Sequence, residues 1–210
     1  LNFSTTINGL SKPQTFNFSR LSSNIYELND TIAIDGKFGL AINVLDKVDK
    51  QPFNYGVYKI ELYIDDNKTY QVSYDIYDYK DAKYIYNERD YQLKVDTGKT
   101  FYRLFADINK NMLFINSEYS NPYILFEDDK YHEFRIIISD FNNNKVYASG
   151  IILNKKLPII KTRHNNNSIT FDNILDNDNK YQFYITGKND LDKMIPADNT
   201  HIKNNIINWD

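Results

Sequence analysis

Histidines are the residues here best suited to acid–base or metal chemistry, and their spacing argues against both. His132, His164 and His201 stand far apart, and the residues four places after them are Ile136, Ser168 and Asn205. A zinc site built on one element needs ligands two apart on a strand or four apart on a helix, where both face one way. No such pair occurs. Cysteine is absent, which removes thiolate ligands, a thiolate nucleophile and disulfides together. His132 precedes Glu133 at the head of an apolar run and reads as a partly buried strand-end histidine, not a catalytic or metal-binding one.

The carboxylates give no better site. Asp176-Asn177-Asp178-Asn179 has the opening of a calcium loop, but the sixth and twelfth places hold Tyr181 and Gly187 instead of the required Gly and Glu. It reads as a solvated turn, and Asp65-Asp66 and Asp128-Asp129 as hairpin ends. No Gly-x-Ser-x-Gly elbow and no phosphate-cradling glycine loop occurs. The chain is therefore expected to be non-catalytic, with no metal or cofactor of its own. One group suggests binding: Tyr74, Tyr77, Tyr79, Tyr84, Tyr86 and Tyr91 crowd into a short run. Tyrosine rings on an exposed sheet face can stack on sugars or anchor a protein partner, although tyrosine is also an ordinary strand residue.

The elements that must carry these residues are strands. In residues 36–66, Phe38, Leu40, Ile42 and Val44 alternate with Gly39, Ala41 and Asn43, and Tyr58, Ile60, Leu62 and Ile64 alternate with Lys59, Glu61 and Tyr63. That period of two marks strands with one buried face. The small residues opposite the first row imply a close approach on its other side. Asp35-Gly36 is a tight-turn signal, and residues 46–55, with Pro52, form a polar surface connection. Asp65-Asp66-Asn67-Lys68 turns the chain into a row of Tyr70, Val72, Tyr74 and Ile76. A second hairpin pairs Phe134, Ile136 and Ile138 with Val146, Ala148, Gly150 and Ile152 across Asn142-Asn143-Asn144.

These patterns predict an all-β chain: an immunoglobulin-like antiparallel β-sandwich over residues 1–153, with short edge strands before residue 30. Residues 78–106 do not alternate, and an irregular insertion with one or two short helical turns is expected there. Beyond Lys155-Lys156-Leu157-Pro158 the composition shifts to Asn and Asp. Residues 157–210 are expected to be a partial second β module or a packed C-terminal extension. With 25 basic and 28 acidic residues well mixed and a net charge of −3, no footprint for nucleic acid is present. No apolar run approaches the ~20 residues that a membrane-spanning helix needs.

Several spaced blocks carry a resemblance. Gly36-Lys37-Phe38-Gly39-Leu40-Ala41-Ile42-Asn43, then Asp46, then Asn54-Tyr55-Gly56-Val57-Tyr58-Lys59-Ile60-Glu61-Leu62-Tyr63-Ile64-Asp65 open the series. Ala82-Lys83-Tyr84-Ile85 with Asp90-Tyr91, Arg103-Leu104-Phe105 and Ile136-Ile137-Ile138-Ser139-Asp140-Phe141 follow in order. Over about residues 31–153 the pattern resembles the β-rich region after the catalytic domain of LytM/lysostaphin-type zinc endopeptidases, the murein hydrolases of Gram-negative envelopes. That family's zinc motifs, His-x-x-x-Asp and His-x-His, do not occur here. The resemblance thus implies an accessory region in the periplasm or at the cell surface, whose peptidase domain lies elsewhere in the parent chain. Its implied partners are that peptidase domain and, beyond it, peptidoglycan or an envelope protein. The alternative that the residues leave open is a free-standing binding module recognising glycan or protein through the tyrosine-rich face.

Overall fold

The computed structural model describes residues 5–47, 52–75, 79, 88–106 and 114–155, and, as backbone, 162–165, 168–171, 184–185, 195–196, 202–203 and 206–208. The chain divides into two compact units, Leu1–Leu157 and Pro158–Asp210. In the first unit the strands are β1 (Thr6–Ile7), β2 (Ser19–Arg20), β3 (Ile25–Glu27), β4 (Ile32–Asp35), β5 (Ala41–Ile42), β6 (Asp46–Lys47) and β7 (Asn54–Tyr55). They continue with β8 (Lys59–Ile64), β9 (Asn67–Ser73), the helix α1 (Tyr91–Thr97), β10 (Tyr102–Arg103), β11 (Ile115–Ser120), β12 (Tyr131–Ser139) and β13 (Lys145–Asn154). All-β is the class, with one short helix among the described residues.

Two hairpins form the centre. Asp65 and Asp66 both take left-handed backbone, with φ of 47° and 64°, the conformation of a two-residue hairpin turn, which the short acidic side chain tolerates. The turn sets Ile64 opposite Asn67, and one register shift beyond Leu62 then sets Leu62 opposite Tyr70 and Ile60 opposite Val72. That shift brings two apolar rows onto one face. In the second hairpin Phe134, Ile136 and Ile138 face Gly150, Ala148 and Val146, the partners their alternation predicts. Gly150 is needed for space: a Cβ there would stand 2.7 Å from the Phe134 ring and 2.9 Å from Leu28 Cβ.

The hairpins join through β12 and β8 into a nine-stranded sheet of order β1-β4-β13-β12-β8-β9-β11, with β3 also on β13 and β2 on β3. This sheet is mixed, not purely antiparallel as the sequence suggests. β3 and β4 lie end to end along the same edge of β13, parallel to it, with Ile25 beside Tyr147 and Ile32 beside Ile152. The parallel pairing covers an edge of the longest strand and turns Ile32 and Ile34 into the interior, where both are buried. The Asp35-Gly36 turn accordingly makes no hairpin. Gly36, at φ 94°, is a corner from which the chain leaves β13 and pairs elsewhere, β5 lying against β10 and Phe38 against Ile124.

Phe38, Ile42, Tyr102 and Leu104 from these smaller ladders share one buried cluster with Ile60, Leu62, Tyr70, Val72, Phe134, Ile136 and Ile138 from the large sheet. Leu40 packs against the cluster, but Tyr58, expected within it, does not belong to it. The approach foreseen opposite the first row is real, since a Cβ on Gly39 would stand 2.4 Å from the Phe105 ring. Within residues 88–106, α1 is bounded by Asp90, whose side chain accepts from Leu93 N, and by Gly98 in the left-handed region. Both are standard helix end devices. Residues 46–55 carry the small β6–β7 ladder.

The second unit contains strands Thr162–Asn165, Ser168–Phe171, Ile202–Lys203 and Ile206–Asn208 in one four-stranded sheet, and Tyr184–Ile185 paired with Ile195–Pro196. The 176–179 turn and His201 lie outside the described residues.

Candidate functional site

The described members of the tyrosine run, Tyr74, Tyr79 and Tyr91, differ in exposure. Tyr74 packs inward, its ring stacked on Phe114 at 5.5 Å and its hydroxyl accepting from Arg89 Nη1 at 3.3 Å. Tyr79 is 90% exposed, and Tyr91, the first residue of α1, is 68% exposed. Tyr77, Tyr84 and Tyr86 lie outside the described residues. Polar chemistry in the first unit gathers instead at three places.

The first is around His132. The end of β12 brings its ring between the β8–β9 turn and the loop before β12. Nδ1 lies 2.6 Å from Asp65 Oδ2 and Nε2 lies 2.8 Å from Asp128 Oδ1. The ring also stacks flat on Phe126, centroids 3.6 Å apart. Burial works to lower the His132 pKa, but hydrogen bonds to the two carboxylates outweigh it and hold the pKa above its ordinary value. The same bond holds the Asp128 carboxyl low. With both ring nitrogens engaged, neither is left to take a proton from a substrate. His132 is a clasp across three segments, and its raised pKa favours the charged form.

The second is the Glu88 cluster, beside α1. The Glu88 side chain has no solvent exposure, and Arg89 Nη1 stands 2.9 Å from its Oε1. That contact pairs charge, yet neither carboxyl oxygen receives a well-directed hydrogen bond, and the buried Tyr70 hydroxyl also lacks one. Arg89 spreads its attraction, its guanidinium lying 3.4 Å from the centre of the Tyr102 ring. Burial pushes the Glu88 carboxyl up to about 7, against the lowering pull of Arg89, and burial with the nearby Glu88 charge raises the Tyr70 hydroxyl. A carboxyl titrating near neutrality is a usual sign of an acid–base catalyst. Glu88, however, is closed off from any substrate.

The third place is open. A groove of about 350 Å³ runs between the ends of β8, β9 and β12 and includes Tyr58, Lys59, Gln71, Asp75, Asp140 and Phe141 in its wall. Its groups are braced from behind. Tyr58 donates its hydroxyl to Asp75, and that bond, with a second from Ser73, holds the Asp75 carboxyl low. Asp140 accepts from Asn144 N at 2.8 Å and from Asn144 Nδ2 at 2.7 Å, and its carboxyl is also held low. Lys59 Nζ sits 3.1 Å from Glu61 Oε1, and Gln71 Oε1 accepts from Lys68 Nζ at 2.9 Å. Phe141 is 81% exposed, its ring in edge contact with Tyr58 at 5.4 Å. The sequence pattern assigns Tyr58 to the core and misses this groove. The available signal was Asp140-Phe141, an aromatic residue set against a turn too polar to bury it.

Among the described residues no group of three or more His, Asp or Glu side chains is placed to hold a metal ion, and no helix is long and apolar enough to cross a membrane. No protein-family model, curated protein or solved structure gives a significant match to the chain.

Proposed function

We propose that this chain is the non-catalytic accessory region of a secreted cell-wall zinc endopeptidase of a Gram-negative envelope, a docking element that positions or restricts the peptidase domain. One observation carries the reading: the described residues of the resemblance are neighbours in one folded unit. Residues 38–43 hold β5, residues 54–65 hold β7 and β8, and residues 136–141 close β12 beside β8. The likeness is thus one of scaffold, and a scaffold is what an accessory region shares with its relatives. The sheet order supports an immunoglobulin-like sandwich. In it β4 lies parallel to the last strand β13, with β12, β8 and β9 following, and the β5–β10 ladder is a sheet of its own that could supply the second layer. The coding sequence upstream of Leu1 tests the reading. A His-x-x-x-Asp and a His-x-His are expected there, in a domain that co-purifies with the separately expressed chain; without that pair the peptidase context is wrong.

A second reading has its own support. A free-standing periplasmic or cell-surface binding module accounts better for the groove at Tyr58 and Phe141, where an aromatic ring is held out in water among fixed polar groups. An upstream sequence that encodes no peptidase, together with ligand capture by the chain alone, favours this reading.

A further inference from the structure

We propose that the groove between Tyr58 and Phe141 is a saccharide-binding site, with the exposed Phe141 ring as the stacking platform for one pyranose face. Sugars are recognised by two features together: a flat aromatic face that takes up the axial C–H surface, and rigid acceptors and donors that meet the ring hydroxyls. Both are present. Phe141 is exposed at the head of a turn whose backbone is fixed by Asp140 and by Asn143 N donating to Asp140 O at 3.1 Å. Tyr58 braces the ring from its edge, so little side-chain freedom remains to be lost when a ligand stacks.

The polar partners are fixed in the same way. Asp75 is oriented by two hydrogen bonds from the protein and Asp140 by three, and a carboxylate has about four acceptor positions, so at least one remains on each. Gln71 is held through its carbonyl oxygen by Lys68, which leaves its amide group to donate. Lys59 supplies a further donor. Two carboxylates against one lysine leave the wall slightly acidic, which selects a neutral or amino sugar over an acidic one. At about 350 Å³ the groove lies at the small end of ligand sites, a size for one or two sugar rings. The site does not depend on the peptidase reading, because its groups all belong to this chain.

The test is a titration of the isotopically labelled full chain, followed by backbone amide NMR, with N-acetylglucosamine tetramer, cellotetraose and tetralysine as separate probes. Each is taken to ~10 mM, where even a site of about 1 mM dissociation constant fills. A saccharide should shift the amides of Lys59, Asp75 and residues 140–144 together. Phe141→Ala should weaken it by about tenfold or more, the worth of a lost stacking contact. Tyr131→Ala is the control, because this exposed ring sits at the other end of β12, roughly 30 Å away by strand rise, and binding should be unchanged. Absence of any shift with either saccharide overturns the proposal. So does saccharide binding that survives Phe141→Ala, or occupation of the groove by tetralysine alone, which would make it a site for cationic peptide. Upstream zinc motifs, present or absent, leave each of these outcomes readable.

Discussion

Replacing Glu88 by glutamine should remove a pH dependence that the wild-type fold carries in its interior. The carboxyl is buried, and its pKa rises from 4.5 in the open chain to about 7 in the fold. Between those values the folded protein keeps a proton that the unfolded chain has released, so stability must fall as pH rises. The slope approaches ~1.36 kcal/mol per pH unit, and the interval from 4.5 to about 7 gives a total loss of about 3 kcal/mol. The Glu88→Gln side chain is neutral at every pH and shows no such loss. The low carboxyls at Asp75, Asp128 and Asp140 and the raised His132 are common to both proteins, so their titrations cancel in the difference between the two stability curves. Urea denaturation followed by circular dichroism at half-unit pH steps gives the two stability curves. The stability of Glu88→Gln minus that of wild type should grow by about 3 kcal/mol between pH 4.5 and 8. A difference constant within about 0.5 kcal/mol would show that Glu88 is hydrated or well hydrogen-bonded, and burial would not govern its titration.

Three further outcomes are expected. Leu62→Ala empties a site with 0% exposure in the middle of the shared core and should cost roughly 2–5 kcal/mol in denaturant unfolding; a cost under about 0.5 kcal/mol would place Leu62 on the surface. Gly150→Ala forces a methyl against the Phe134 ring at 2.7 Å and should destabilise by about 1–3 kcal/mol, with a full or partial rescue in Gly150→Ala/Phe134→Leu. For His132→Asn, the stability deficit against wild type should be present near pH 6, below the raised His132 pKa. It should shrink as pH rises through the raised His132 pKa, because that contribution belongs to the protonated ring. A deficit unchanged from pH 6 to pH 9 would mean that the ring acts by packing on Phe126 alone.

The strands were legible where a single periodic rule governed them. Phe134, Ile136 and Ile138 meet their foreseen partners because the Asn turn and the alternation agree, and the Asp65-Asp66 turn sits where two acidic residues interrupt two apolar rows. The parallel edge was not legible: Ile32 and Ile34 alternate in the same way whichever neighbour they have, and β13 lies more than a hundred residues away. Tyr58 shows the limit of periodicity at a strand end. It continues the Ile60–Leu62 phase, but one residue before β8 begins the chain is free to turn the ring outward, toward Asp75 and Phe141. The Glu88 cluster escaped notice because nothing local distinguishes a carboxylate that will be buried from one that will not. Its environment comes from Tyr70, Tyr74 and Tyr102, assembled from separate stretches of the chain.

The parallel contact of β3 and β4 with β13 also decides how the unit bears mechanical load. Tension entering at Ile25 and leaving at Asn154 pulls the two parallel segments in opposite senses along their own length. The backbone bonds from Tyr147 beside Ile25 to Asn154 beside Ile34 then carry the force side by side, in shear. An antiparallel pair gripped at its open end would instead unzip, each bond breaking in turn. Forced opening is governed by the height of the unfolding barrier and not by equilibrium stability. A chain strung between anchored partners would thus hold at this edge, and the unit would act as a tether that stays folded until the whole seam gives way.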